Sequence, residues 1–348
     1  MAESYTRDTQ LAFSTVPEAT FNTASTTDSD YTAITLDPVP LTIPQPEQTP
    51  IIGGTEFPTG YCNGYWQPFQ ASISPLFTFT GLAGRFGLQA HGSSVAAAQQ
   101  GGTAAYKHTA TLGTSAEMLG RSFAMDNGDL SFLWAGNAVS RYRLEQVGGA
   151  LPTCTVDLVG TGKFTETVPF TIPAVSNACS PIVTAAIFIT DGYDTARNLY
   201  DAKVYAWNME LNNGADATSD LVRSAADSSQ GPTGGTAKYV SRILRTFPRT
   251  VTLNVTVPVE EIEGESKGYW EQMAKGASIT DVTLRLRGDQ ISGSYYYECN
   301  WKIADARYTA TPVRDNNTII AYDLTFSPVH NSTPITFAWT NITTSNYK

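Results

Sequence analysis

Charge is what this sequence has least of: Asp, Glu, Lys and Arg make up 16 % of its 348 residues, against roughly 25 % in ordinary soluble proteins. The little it has is lopsided, with 32 acidic against 22 basic side chains and a formal net charge of −10. Phosphate binding is driven by Lys and Arg displacing counterions, so this balance excludes a protein that grips nucleic acid and disfavours an anionic membrane surface. Cysteine is nearly absent as well. Cys62, Cys154, Cys179 and Cys299 stand far apart, with no C-x-x-C pair and no adjacent His, which excludes a zinc site of ordinary spacing. The expected state is reduced, half-buried thiols on strands. Histidine is limited to His91, His108 and His330, none beside a second ligand, so metal chemistry is not expected and structural or solvated roles are. No apolar run is long enough to span a membrane as a helix, and Ile182 to Thr190, the longest, reads as a buried strand. The Met-Ala-Glu-Ser-Tyr start has no basic region leading into an apolar stretch, so no secretory signal is expected and synthesis in a cytoplasm follows.

Motifs of catalysis are equally thin. Gly264-Glu-Ser266-Lys-Gly268 matches G-x-S-x-G in letters, but Glu260, Glu261, Glu263 and Glu265 crowd the approach where a nucleophile elbow needs a buried strand. Gly81-Leu-Ala-Gly84-Arg-Phe-Gly87 has the wrong glycine spacing for a dinucleotide fingerprint, and no phosphate loop occurs. Asp126, Asn127 and Asp129, like Asp28 and Asp30, lack the later Glu of a calcium loop and read as turn formers. The sequons at Asn254, Asn316, Asn331 and Asn341 are what a Thr-rich chain generates by chance. No enzyme, no cofactor and no metal are therefore expected.

What is there is β-strand. Thr is the commonest residue, and hydrophobic residues reach 41 % and aromatics 11 %, enough to bury a large core. Residues 1–50 are rich in Thr, Ser, Asp and Pro and predict an extended N-terminal arm. Strand-like segments follow at Phe69 to Thr80, Ala104 to Leu112, Leu130 to Val147 and Leu151 to Phe164. Later, Val251-Thr-Leu253-Asn-Val255-Thr-Val257 alternates as a strand with one buried face must, as do Val282 to Arg287 and the set Ile320, Tyr322, Leu324 and Phe326. Helices are expected only at Ser93 to Gln100 and Gly268 to Lys275. The class is mostly β: antiparallel sandwiches or barrels, each with one short helix.

One internal similarity stands out. Val139-x-x-Tyr142-x-Leu144-Glu145 can be laid over Val204-x-x-Trp207-x-Met209-Glu210, each followed by a turn. It predicts two duplicated β domains, residues 51–180 and 181–348, with these segments as equivalent strands. The second carries an insertion from Asn212 to Lys238, where Gly214, Gly231 and Gly234, with Asp216 and Asp220, leave little apolar side chain to anchor it. That loop is expected to be mobile before assembly and to order against a neighbour.

The block Leu133 to Gly162 and the later Ile303-Ala-Asp-Ala-Arg-Tyr-Thr-Ala-Thr-Pro-Val-Arg through Val329 resemble strands of phage tail tube proteins. The chain is similar to the major tail tube proteins of long-tailed, non-contractile phages (siphoviruses) of the two-domain type, with a Thermus-infecting phage as the source the resemblance suggests. The resemblance implies a virion protein that self-assembles into stacked rings, DNA passing through the lumen without specific binding. With two domains per chain it implies a trimeric, pseudo-sixfold ring. Its implied partners are further copies of itself and the tape measure, tail terminator and distal tail proteins; no membrane is implied. Two other classes stay open: a carbohydrate-binding or adhesive β-sandwich using Tyr295, Tyr296, Tyr297 and Trp301, and a capsid or decoration protein.

Overall fold

The computed structural model describes residues 10–18, 23–27, 30–33, 69–75, 77–92, 97–112, 118, 120–126, 131–167, 184–191, 197–199, 204–216, 243–245, 249–258, 279–315, 318–329 and 334–344. They form nineteen strands and one helix. The first half contains β1 (Gln10–Ser14), β2 (Tyr31–Ala33), β3 (Phe69–Ile73), helix α1 (Leu82–His91), β4 (Ala98–Gln99), β5 (Tyr106–Thr111) and β6 (Arg121–Asp126). Then come β7 (Ser131–Val147), β8 (Thr153–Gly160), β9 (Phe164–Thr167), β10 (Thr184–Asp191), β11 (Arg197–Leu199) and β12 (Ala206–Asn212). The rest are β13 (Ala215–Asp216), β14 (Leu244–Arg245), β15 (Thr250–Pro258), β16 (Ile279–Ser292), β17 (Tyr295–Asp315), β18 (Thr318–Pro328) and β19 (Ile335–Asn341). The fold is mostly β and its pairings are antiparallel, as the alternation predicts.

Seventeen strands belong to one hydrogen-bonded system, which two long strands distribute over separate sheets. Sheet I runs in the order β3-β8-β7-β12-β15-β18-β17. Sheet II runs β4-β5-β19-β17-β16-β10-β11. The second half of β17 serves sheet I and its first half sheet II. Between them Asp305 takes a positive φ of 52°, the kind of local irregularity that turns a strand from one sheet into another. A smaller group, β2-β1-β6, joins the first half of β7, which β9 flanks on its other side.

Register makes the core. In sheet I, Cys154, Leu144, Met209, Leu253, Phe326 and Tyr308 lie side by side across six strands, and all are buried. In sheet II, Ala110, Phe337, Trp301 and Leu284 form the matching row. The two rows belong to one hydrophobic cluster, and Tyr142 of sheet I meets Phe337 of sheet II edge-on at 5.8 Å between ring centres. Residues before and after the expected boundary near 180 thus share sheets and a core; the boundary itself lies outside the described residues.

Three expectations are corrected here. The helix expected at Ser93 to Gln100 falls instead at Leu82–His91, and Ala98–Gln99 is a strand. Gly84 and Gly87 explain the shift: a Cβ on either would stand 2.5 Å from the ring of Trp339 or Phe337, so glycine lets the helix lie against the tryptophan and phenylalanine of β19 despite poor propensity. The N-terminal region is not wholly an arm, because β1 and β2 are built into the fold with Leu11, Phe13 and Tyr31 buried. Ile320 leaves the buried face, since a register shift between Val313 and Arg314 breaks the alternation there. The second expected helix, Gly268 to Lys275, lies outside the described residues.

Candidate assembly surface

The outer face of sheet I carries a polar row that runs across six strands. One step along the strands from the apolar row, Thr153, Glu145, Asn208, Asn254, Thr325 and Thr309 align on the opposite face. Short Thr and Asn side chains dominate because each alternating strand supplies them at every second position. Two pairs of the charges beside them are matched: Arg141 pairs with Asp157 at 2.8 Å and Arg143 with Glu145. Thr256 donates to Asp323 at 2.7 Å. Such half-exposed ion pairs contribute about 0–1 kcal/mol each, but they leave Arg141 and Arg143 engaged with protein carboxylates.

The repeated segments meet in this sheet. Val139, Tyr142, Leu144 and Glu145 lie on β7; Trp207, Met209 and Glu210 lie on β12, with Val204 just ahead of it. The two strands are neighbours, and Leu144 sits directly opposite Met209. Corresponding residues placed opposite each other on antiparallel strands are related by a local twofold axis through that pair. The structure thus brings the two repeated segments side by side in one sheet.

The first residues of the expected assembly loop, 212–216, are built into the fold. Asn212 belongs to β12, opposite Arg141 and Thr250, and its side-chain oxygen accepts the Gly214 N–H at 2.8 Å. Asn213 is fully buried, its amide donating to the carbonyls of Ala90 and Val139. Gly214 turns the chain at φ +57°, and Ala215 and Asp216 pair with β14. Residues 212–216 are therefore sheet and anchor. Asp220, Gly231, Gly234 and Lys238 lie outside the described residues.

Helix α1 is pinned from several strands at once. Tyr142 Oη donates to the Ala83 carbonyl at 3.0 Å, and Trp339 Nε1 donates to the Phe79 carbonyl at 2.7 Å just ahead of the helix. Trp301 Nε1 donates to His91 Nε2 at 3.0 Å, which leaves the ring proton on Nδ1, 2.7 Å from the Gly87 carbonyl. Burial lowers the His91 pKa to about 4. His108 is also buried, with Nε2 3.3 Å from Asn341 Oδ1, and its pKa is lowered to about 4, chiefly by burial. Both histidines are structural and neither is solvated; His330 lies outside the described residues. Cys154 and Cys299 are free and fully buried, not half-buried, and burial pushes both thiols up. Cys62, Cys179 and the Gly264 to Gly268 motif fall outside the described residues. The aromatic platform fails at Trp301, which is fully buried, while Tyr297 packs 5.9 Å from Phe79.

No family model matches the sequence, and no curated protein matches it. Among solved structures the chain is similar to the Hcp1 protein from the E. coli EAEC 042 pathovar, in a double-mutant form. The identity is 11 %, the TM-score 0.24, and the overlap covers 45 % of this chain and 99 % of that one.

Proposed function

We propose that this protein is a structural, non-catalytic subunit that polymerises into a tube, and that the tube is the tail tube of a long-tailed phage, made in the host cytoplasm and carried in the virion. The observation that carries the reading is sheet I: a broad antiparallel sheet with a polar outer face of Thr, Asn and charges of both signs, whose first strand, β3, pairs with β8 alone among the described residues. A sheet of this kind invites strand or face contacts with copies of itself. The two blocks that resemble tail tube proteins form its hairpins, β7–β8 and β17–β18.

In a tube, a Thr- and Asn-rich wall on which Arg141 and Arg143 are held by carboxylates would let DNA slide with little sticking. The other tail proteins would meet the tube at its ends. Negative-stain microscopy of the purified protein is the test, with hollow filaments expected; end-on views then count the chains per ring. Discrete particles at high concentration across temperature and salt would refute the tube, and closed shells would favour a capsid role. The carbohydrate-binding alternative is weakened by the buried Trp301.

A further inference from the structure

Two polar side chains on neighbouring strands are buried with no partner at the atoms that need one. Arg121 opens β6 and stands directly opposite Asn137 of β7, so their side chains leave the sheet on the same face. Arg121 is 5 % exposed and Asn137 is fully buried. The Asn137 amide is fixed in one orientation, because its Nδ2 donates to the carbonyls of Arg121 and Trp134 at 3.0 Å each. That leaves its Oδ1 without a donor, and the Arg121 Nε is without an acceptor. Both omissions are costly in a buried place, the charged one more so. The surroundings do not discharge the guanidinium. β1 pairs with β6, Phe13 against Phe123, and carried two residues further that register sets Thr15 across from Arg121. The Thr15 carbonyl accepts from Arg85 Nη1 of α1 at 3.3 Å, which brings a second guanidinium to the same corner. Burial and Arg85 together lower the Arg121 pKa to about 9, with Glu18 opposing them. Glu18 commits its Oε1 to the Ser122 hydroxyl at 3.1 Å and the Gly136 N–H at 2.8 Å. No ion pair joins it to Arg121 among the described residues.

We propose that the corner between β1, β6, β7 and the first turn of α1 binds a small hydroxycarboxylate, its carboxylate oxygens on Arg121 and its hydroxyl on Asn137 Oδ1. The planar guanidinium fork matches the two oxygens of a carboxylate, which a compact cation would not select. A single negative charge suffices, because Glu18 already offsets part of the positive charge. The hydroxyl is required because Asn137 Oδ1 needs a donor and a bare carboxylate has none to give. Near-complete burial of both side chains limits the ligand to a few heavy atoms, about the size of glycolate, and excludes a macromolecule. Seated there, the acid lies where β1 meets β6 and α1, so it strengthens the docking of the N-terminal strands on the rest of the fold.

Sodium glycolate titrated into the full chain, with sodium chloride holding the ionic strength constant, tests this. The Arg121 Nε–H resonance is expected to shift and saturate, and the urea midpoint to climb with glycolate concentration, as a ligand bound only by the folded state requires. Acetate should bind about fivefold more weakly, the worth of one hydrogen bond. Arg121→Met should abolish the dependence of the midpoint on glycolate. Where that variant does not fold, Arg85→Gln, which changes a half-buried side chain, should keep the fold and weaken glycolate severalfold. Shifts that fail to saturate by about 0.2 M glycolate, or that chloride reproduces, overturn the site and leave water to serve both groups. Equal affinity for acetate and glycolate overturns the role of Asn137. A midpoint that responds to glycolate equally in wild type and in folded Arg121→Met overturns the role of Arg121.

Discussion

His91 shows how one buried side chain can couple a helix to a sheet and make the pair sensitive to acid. Its Nε2 must stay bare to accept from Trp301, while Arg249 nearby adds a positive charge that further disfavours protonation. The folded pKa of about 4 lies below the ordinary value near 6.5. The unfolded chain therefore binds more protons between those values, and stability must fall as pH drops through that window. The expected loss is on the order of 3 kcal/mol from His91 alone by pH 4, with His108 acting in the same direction. Urea unfolding at pH 7 and pH 5 should already differ, and the His91 ring should show no titration in the folded protein over that range. Trp301→Phe removes the donor and shrinks the buried indole to a phenyl, leaving an acceptor unsatisfied at a cost of about 1–3 kcal/mol with a cavity cost in addition. An unchanged urea midpoint in that variant would show that the contact contributes nothing.

Among elements, α1 marks where reading from sequence stops. The strands β15, β16 and much of β18 are legible from alternation alone, because a half-buried strand leaves a period of two wherever it lies. The helix is not, since Gly84 and Gly87 argue locally against helix and gain their reason only from Trp339 and Phe337, more than two hundred residues away. The same blindness hides the neighbours of each strand. That Leu144 faces Met209 is a fact of pairing, invisible to periodicity, and the polar row from Thr153 to Thr309 exists only once six strands are in register. Gly84→Ala makes the point testable: helix propensity alone would favour Ala by about 1 kcal/mol. A Cβ 2.5 Å from the Trp339 ring should reverse that and cost about 1–3 kcal/mol. A stabilised Gly84→Ala variant, seen as a higher urea midpoint, would show that the helix packs elsewhere.

For the whole molecule, the shortage of charge predicts how assembly responds to solvent. Contacts built on Thr, Asn and apolar side chains lose little to screening, while the net charge of −10 makes copies repel at long range. Polymerisation should therefore be as fast or faster in 0.5 M sodium chloride than in dilute buffer, and faster still in sulfate, which strengthens apolar burial. Light scattering across a salt series checks this. Assembly that is abolished by moderate salt would point to ion pairs at the interface and away from the surface described above.

The 21 residues of β17 carry a further consequence, in mechanical terms. A tube must bear tension along its length, and the weak point of a two-sheet protein is usually the seam along which one sheet peels from the other. Here that seam is stitched covalently by a strand that is a full member of both sheets, with β16, β19 and β18 hydrogen-bonded along it. Pulling the sheets apart requires extracting β17 from one of them, which breaks a ladder of bonds in shear together. Under force spectroscopy the chain should accordingly resist and then give way in one large event, and a nick in the β17 backbone near Asp305 should split that event into two smaller ones.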